Sequence, residues 1–245
     1  MESIVGASAS PRRLAKTAGG LYLINIVFGA FAIGLVPALL IVPDLATTAH
    51  NIRAHELLYR SGLAAHVVVT VTNVPMAVLF YDLFKVVNRR LALLDACLIL
   101  VATAVEAAGL VNQFAPLVLL GSGPDAGAVP AAQLQALAHL PGDLSPIGYS
   151  IYTVFYGFDV GIVAYLVLKS TLLPRTVGVL LAVDSVAYLV DAFTNLLAPG
   201  VAAHLAPWIN LPALVGEGSL CVWLLVAGVN VERWTQWAGT AERSA

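Results

Sequence analysis

The sequence predicts an all-α, polytopic membrane bundle of about six transmembrane helices with both termini cytoplasmic, and three observations carry that expectation. The 245 residues are 60% hydrophobic and 11% charged, with a mean hydropathy of +0.89, whereas a soluble domain carries roughly a quarter charged residues. Apolar runs able to cross roughly 30 Å of hydrocarbon as helix fall near 17–42, 60–84, 91–119, 146–168, 176–198 and 208–230. Ten of the twelve Lys and Arg, including Arg12, Arg13, Lys16, Lys85, Arg89, Arg90, Lys169, Arg175 and Arg233, fall on one side of a six-span arrangement, and cytoplasmic loops carry the Lys/Arg excess. The expected location is the cell membrane, with short cytoplasmic tails at 1–16 and 231–245. The net charge of −2 points to no nucleic-acid partner. The expected partners are the lipid bilayer and a lipophilic small molecule.

The first run follows a basic segment as a signal peptide would, but it is too long for an h-region and lacks a convincing small-residue cleavage site. It is therefore read as retained. It carries Tyr22, Asn25 and Gly29 on one face, readable as ordinary helix packing, and then Pro37, which can kink a helix. Residues 44–66 follow, with three of the five histidines. Wound as one helix, Asn51, His55, Tyr59, Gly62, His66 and Asn73 share a face. Arg53, Glu56 and Arg60 share another, with Glu56 placed to pair with Arg60 at i,i+4. A solvated loop leading into a span would explain His50 to Glu56, but not His66, Thr70 and Asn73 inside the apolar run.

Residues 85–90 form a short basic turn joining spans two and three, with Asp82 close enough to pair locally. Span three carries Asp95, Glu106 and Gln113 on one face. Segment 120–145, rich in Gly, Pro and Ala, is expected to be a mobile outer cover with at most one short helix. Span four carries Tyr149, Tyr152, Tyr156 and Asp159 on one stripe. Span five carries Asp184, Tyr188, Asp191 and Asn195, and span six Asn210, Glu217 and Cys221. The C-terminal Trp234 and Trp237 read as an interfacial anchor. Cys97 and Cys221 both lie in spans, where a thiol acts as a small apolar group.

A charge in hydrocarbon costs a few kcal/mol on insertion scales, so such residues face the bundle interior and mark functional paths. At about 1.5 Å per residue, His66, Glu106, Asp159, Asp191 and Glu217 fall between the middle and outer third of the membrane and are expected to line one chamber. Neighbouring buried carboxyls cannot all ionise, so at least one holds a proton, as acid/base chemistry and proton-coupled transport both require. Purely structural hydrogen bonding between helices is the alternative. His50 and His55, five residues apart, lie on different faces, and no metal site or cofactor is expected. The motifs of soluble nucleotide, hydrolase or redox enzymes are missing.

The order of landmarks from Gly20-Leu21-Tyr22-Leu23 through Val42-Pro43-Asp44, Glu56 and Arg60, Asn88-Arg89-Arg90, Leu173-Pro174-Arg175, Tyr188-Leu189-Val190-Asp191, Gly216-Glu217 and Trp223-Leu224-Leu225 resembles a bacterial multi-pass membrane family, domain of unknown function 4386. The likeness runs over nearly the whole chain. It implies a bundle of six to seven spans and no assigned activity, with Glu56, Arg60, Asp191 and Glu217 as family features. Ile99 stands where that pattern has an arginine, and Asp95, Asp159 and Asp184 add acids to it.

The expected function is a membrane-embedded acid/base enzyme, of cyclase or isomerase type, acting on an isoprenoid-like chain. Asp159 or Glu217 donates a proton and Glu106 or His66 accepts one, with Asp191 in the same set. Tyr149, Tyr152 and Tyr156 shield cationic intermediates, and Tyr188, Asn73, Gln113, His55, Tyr59 and Arg60 complete the substrate surface. A proton-coupled transporter or small-molecule sensor, and a scaffold without ligand, are the alternatives. Transporters are usually built from inverted repeats, and none is evident.

Overall fold

A computed structural model describes residues 10–121 and 131–243. Among these residues there are ten α-helices, one π-helical segment and no strand. Helix α1 (Pro11–Gly29) starts on Ser10, whose hydroxyl accepts the Arg13 N–H at 3.4 Å. It runs through a π-helical turn (Ala30–Leu35) into α2 (Val36–Leu40). Pro37 accounts for that turn: it has no N–H to donate and its ring crowds the carbonyl four residues back, which a wider turn displaces.

The polar stretch after it is not one helix. Helix α3 (Leu45–Ala54) and α4 (Glu56–Asn112) meet at His55, which leaves helical geometry at φ −123°, ψ 41°. Helix α3 is tethered to the end of α2 instead: Asn51 donates to the Leu40 carbonyl at 3.2 Å, and Thr48 exchanges bonds with Val42. Asp44 caps α3, its carboxylate accepting from the Thr47 N–H at 2.7 Å. These bonds break the expected face, so Asn51 does not continue the stripe through Tyr59 and His66.

Helix α4 folds as an antiparallel pair of arms. Asn88 adopts extended geometry (φ −159°, ψ 103°), and its side-chain oxygen accepts from Arg90 N and Leu91 N, both at 3.1 Å, starting the second arm as an N-cap does. His66 meets Glu106 and Tyr59 meets Gln113, two pairs symmetric about Val86. Asp82 pairs with Lys85 at 2.5 Å beside the turn.

After α5 (Ala115–Gly121) comes α6 (Ala131–Ser170). The outer segment thus contributes a long helical extension from residue 131, more than the short helix expected, because its Ala, Leu and Gln run favours helix; residues 122–130 lie outside the described residues. Helices α7 (Arg175–Leu197), α8 (Pro199–Ile209), α9 (Leu211–Val226) and α10 (Val231–Arg243) complete the chain. Among the described residues, four stretches are long and apolar enough to cross a membrane: Pro11–Leu40, Glu56–Leu119, Leu144–Ser170 and Arg175–Leu197. Pro199–Ala206 with Leu211–Val226, bent by 57°, would make a fifth if it counts as one span. The 64-residue Glu56–Leu119 stretch contains both arms of α4.

Packing closes the helices into a ring: α1 lies on α4, α4 on α6, α6 on α7, α7 on α9, and α9 back on α1. The closure at α1 and α9 is tight, since a Cβ on Gly19 would stand 2.9 Å from the Leu225 nitrogen. At the end carrying Arg12, Lys85 and Lys169, α10 lies across the bundle. Trp234 donates its indole N–H to the Leu83 carbonyl at 3.1 Å and Trp237 to the Ser170 carbonyl at 3.3 Å. The two tryptophans thus tie α10 to backbone carbonyls of α4 and α6.

Candidate functional site

The ring surrounds two polar clusters. The first lies among α1 and the two arms of α4. Glu106 faces the His66 ring nitrogen Nε2 at 3.1 Å, accepts from the Thr70 hydroxyl at 3.4 Å, and accepts from the Asn73 amide at 3.5 Å. Asn25 of α1 donates to the Asn73 side-chain oxygen at 2.8 Å and to the Val69 carbonyl at 3.2 Å. The stripe spacing that put His66 and Asn73 on one face, and Glu106 on the facing arm, is what brings them together.

The second cluster lies nearer the basic end. Asp95 is about 10 Å along its arm from the Asn88 turn, at 1.5 Å per residue. Its carboxyl neighbours that of Asp159 on α6, and both line the same space. Asp95 is 1% exposed and Asp159 8%; Oδ1 of each is buried without a hydrogen-bond partner. Next to the pair, Tyr22 and Tyr156 join hydroxyls at 3.2 Å, and Tyr188 donates to Glu217 at 2.7 Å. The hydroxyls of Tyr22 and Tyr156 lie within reach of the same Glu217 carboxyl. Tyr152 stacks on Tyr156 at 5.3 Å between centroids, and Tyr188 meets Tyr156 edge-on at 5.2 Å. Behind Glu217, Asp184 is fully buried with neither carboxyl oxygen partnered. It fits there because Gly216 of α9 has no side chain: a Cβ would stand 3.0 Å from the Asp184 Cβ.

A cavity opens onto this second cluster. Its volume is about 40 Å³, room for a few water molecules, and it is continuous with a wider opening. Tyr22, Asn25, Asn73, Phe80, Asp95, Tyr152, Tyr156 and Asp159 supply its polar and aromatic wall, with Met76, Ile99, Val163, Leu181 and Leu220 among its apolar residues. The Asn25–Asn73 bond joins this cavity to the Glu106 cluster.

Several residues expected in one chamber are elsewhere. Asp191 accepts from Asn195 of its own helix at 2.9 Å. Gln113 donates to Ser145 at 3.4 Å and accepts from Tyr59 through its carbonyl, at the far end of the arms. His55 is exposed at the junction of α3 and α4. Arg60 is held by Glu56 at 2.7 Å, both side chains about half exposed, as the i,i+4 spacing predicts. Tyr149 is 40% exposed and reaches the cluster only through its ring contact with Tyr152. Glu217 and Tyr188 adjoin the cavity through Tyr22 and Tyr156 without lining it. The single outer chamber is thus two clusters, and the one with open space sits closer to the basic end than the spacing implied. Asp95, Tyr22 and Asn25 are the residues that sequence reasoning left out of the site. Their stripe positions were visible; which neighbour each stripe faces was not.

No group of three or more metal-ligating side chains is assembled among the described residues. The family model for a domain of unknown function, DUF4386, matches residues 17–228. The chain belongs to that family. In this DUF4386 member the matched stretch contains both polar clusters and every residue lining the cavity. No curated protein and no solved structure matches the chain.

Proposed function

We propose that this DUF4386 protein is an acid/base catalyst embedded in the cell membrane, with both termini cytoplasmic, that rearranges a lipophilic small molecule in the Asp95–Asp159 cavity. The observation that supports it is the carboxyl pair itself: two buried, neighbouring acids that both line a largely apolar cavity. A protonated and an ionised carboxyl side by side are a donor and an acceptor in one place.

In an isomerisation of an isoprenoid-like chain, Asp159 gives its proton to one alkene carbon, forming a C–H bond and leaving a cation on its neighbour. Asp95 then takes a proton from an adjacent carbon, whose C–H electrons form the new double bond. Transfer between the two neighbouring acids returns that proton to Asp159, so no proton is gained or lost. Cyclisation differs only in that a second double bond attacks the cation before the proton leaves. Tyr152, Tyr156 and Phe80 line the space where the cation forms and present aromatic faces or edges to it, and ring faces stabilise cations. Glu106 and His66, first read as proton acceptors, are engaged with each other, so the acceptor role passes to Asp95.

A proton-coupled transporter is the second reading, favoured by the bend between α8 and α9, since discontinuous helices are characteristic of transporter sites. The decisive experiment is mass spectrometry of the protein purified in mild detergent, followed by incubation with the lipophilic molecule that co-purifies. Conversion of that molecule to an isomer establishes the enzyme. Its accumulation in sealed proteoliposomes under a pH gradient, without conversion, establishes the transporter. A preparation free of any hydrophobic small molecule, with neither outcome, overturns both. Reporter fusions at residues 125 and 245 test the orientation, which fails if the fusion at 125 is the cytoplasmic one.

A further inference from the structure

One residue on the cavity wall carries an acceptor that accepts nothing. Asn25 shares the inner face of α1 with the buried Tyr22, while Leu23, Ile24 and Val27 of the same helix are exposed. Its amide nitrogen is committed to α4, donating to the Val69 carbonyl at 3.2 Å, the Thr72 hydroxyl oxygen at 3.3 Å and the Asn73 side-chain oxygen at 2.8 Å. Acceptors gathered on that side show which end of the amide is the nitrogen. Oδ1 is thereby turned away from them. No described residue donates to it and it is not occluded, so it is the part of Asn25 left to face the cavity that the residue lines.

Tyr152 stands at the same level. Helix α1 runs from the basic end and α6 returns to it, and the hydroxyls of Tyr22 and Tyr156 meet at 3.2 Å. Asn25 comes three residues after Tyr22 and Tyr152 four before Tyr156, so each lies about one turn farther from the basic end. The Tyr152 ring is stacked on Tyr156, and its hydroxyl bonds to no described residue. A group bound at this level has to donate to Asn25 and can accept from Tyr152. A hydroxyl does both with one oxygen. An ether or carbonyl oxygen accepts only, and leaves Asn25 unbonded. A carboxylate has no donor either, and it would share with Asp95 and Asp159 a wall that holds no Lys, Arg or His, where like charges oppose each other.

We infer that the ligand of this cavity is an uncharged lipophilic alcohol whose hydroxyl donates to Asn25 Oδ1, which makes Asn25 the specificity-determining residue. This names the substrate class of the site proposed above and rests on the reading that the cavity takes a ligand. The enclosed space is only about 40 Å³, so what enters it is a hydroxyl on a thin chain rather than a ring system. Tyr152 and Asp159 are seven residues apart on α6, about 10 Å of helix. The bound hydroxyl therefore leaves both carboxyls free for the proton transfers, and they meet carbons farther along the chain.

Geraniol and geranyl methyl ether make the test, because they share a chain and an acceptor oxygen and only the alcohol can donate. Their binding to the full-length protein in mild detergent is measured by equilibrium dialysis at neutral pH, with protein-free micelles subtracted. The expected result is saturable binding of geraniol at one site per chain, about fivefold or more tighter than the ether, the factor that one net hydrogen bond supplies. Asn25→Leu should bring geraniol to the affinity of the ether while leaving the ether nearly unchanged, which separates the lost bond from the bulk of the added methyl. Size-exclusion profiles and helical circular dichroism show whether that variant is folded, and the wild-type comparison does not need it. Equal affinity of the wild type for the two probes, or an alcohol preference that survives in folded Asn25→Leu, overturns the alcohol assignment while leaving the cavity a ligand site. Absence of saturable binding by either probe overturns it as well, and the co-purification and turnover experiment then decides separately whether the site has another ligand.

Discussion

The Glu106 cluster and the Asp95–Asp159 cluster lie between some of the same helices, joined by one bond from Asn25 to Asn73, yet they differ in how their hydrogen bonds close. Around Glu106, both carboxylate oxygens find partners in His66, Thr70 and Asn73. At Asp95 and Asp159 one buried oxygen of each acid has no hydrogen-bond partner. A satisfied network stiffens the helices that share it, whereas a partly satisfied one is costly to keep. The difference teaches that buried acids are not one population: the first cluster holds the α4 arms together, and the second keeps unpaired acceptors beside the cavity.

If that division is right, the largest effect comes from the second cluster. Asp159→Asn or Asp95→Asn should lower turnover of the co-purified substrate by about 10² to 10⁴, the usual contribution of a general acid or base, with the folded fraction unchanged by circular dichroism. Asp82→Asn should do little. Near-full turnover in both acid variants would remove the acid/base mechanism, and unfolding of both would make the second cluster structural as well.

The first cluster should instead respond in stability. Glu106→Leu leaves His66, Thr70 and Asn73 without their shared partner, and a stranded buried polar group costs about 1–3 kcal/mol. A lowered thermal midpoint in detergent, recovered in good part by Glu106→Gln, is the expected result. An unchanged midpoint for the Leu variant would contradict the structural role.

A smaller effect is expected at the rim. The Glu56–Arg60 pair is about half exposed on both sides, and exposed pairs contribute under about 1 kcal/mol. Glu56→Gln should leave expression and thermal midpoint nearly as they are. A clear loss of folded protein would show that the rim belongs with the first cluster.

The smallest effect is at Asp44, outside the spans. Its hydrogen bonds from the Thr47 hydroxyl and N–H hold its carboxyl below the ordinary value of 3.8. A depressed folded-state pKa gives stabilisation that is fully present above the ordinary value and is lost as pH falls through the lowered one. The protection factor of the Thr47 amide, the exchange rate of an unprotected amide at the same pH divided by its own, should therefore be high at pH 6 and fall only below pH 3.8. In Asp44→Ala that fall should be absent, because the titrating group is gone. Persistence of the same pH response in the variant would assign it to another carboxyl.

Much of this architecture was readable from residue order. Helical periodicity put Tyr152, Tyr156 and Asp159 on one face of α6 and Asp184 with Tyr188 on one face of α7, because the period of 3.6 residues is a local property. The break at Asn88 was visible as the basic turn, and the i,i+4 pair of Glu56 and Arg60 needed no partner helix. What failed failed at contacts between elements. The single helix drawn through residues 44–66 ends at His55 because Asn51 and Thr48 bond back to Leu40 and Val42, and nothing local announces that return.

Composition, apolar run length and stripe spacing by themselves determined an all-α chain with apolar helices long enough to cross a membrane and with acids turned inward, because hydrocarbon tolerates neither an unpaired backbone nor an unshielded charge. Only the tertiary structure decided which acid meets which. Rotation and depth of each helix are set by close approaches such as Gly19 on Leu224 and Gly216 on Asp184. Those approaches bring Asp95 to Asp159 and leave Asp191 to its own helix. A stripe fixes a direction on one helix, but a contact needs two helices in register, and that register comes from packing across the ring.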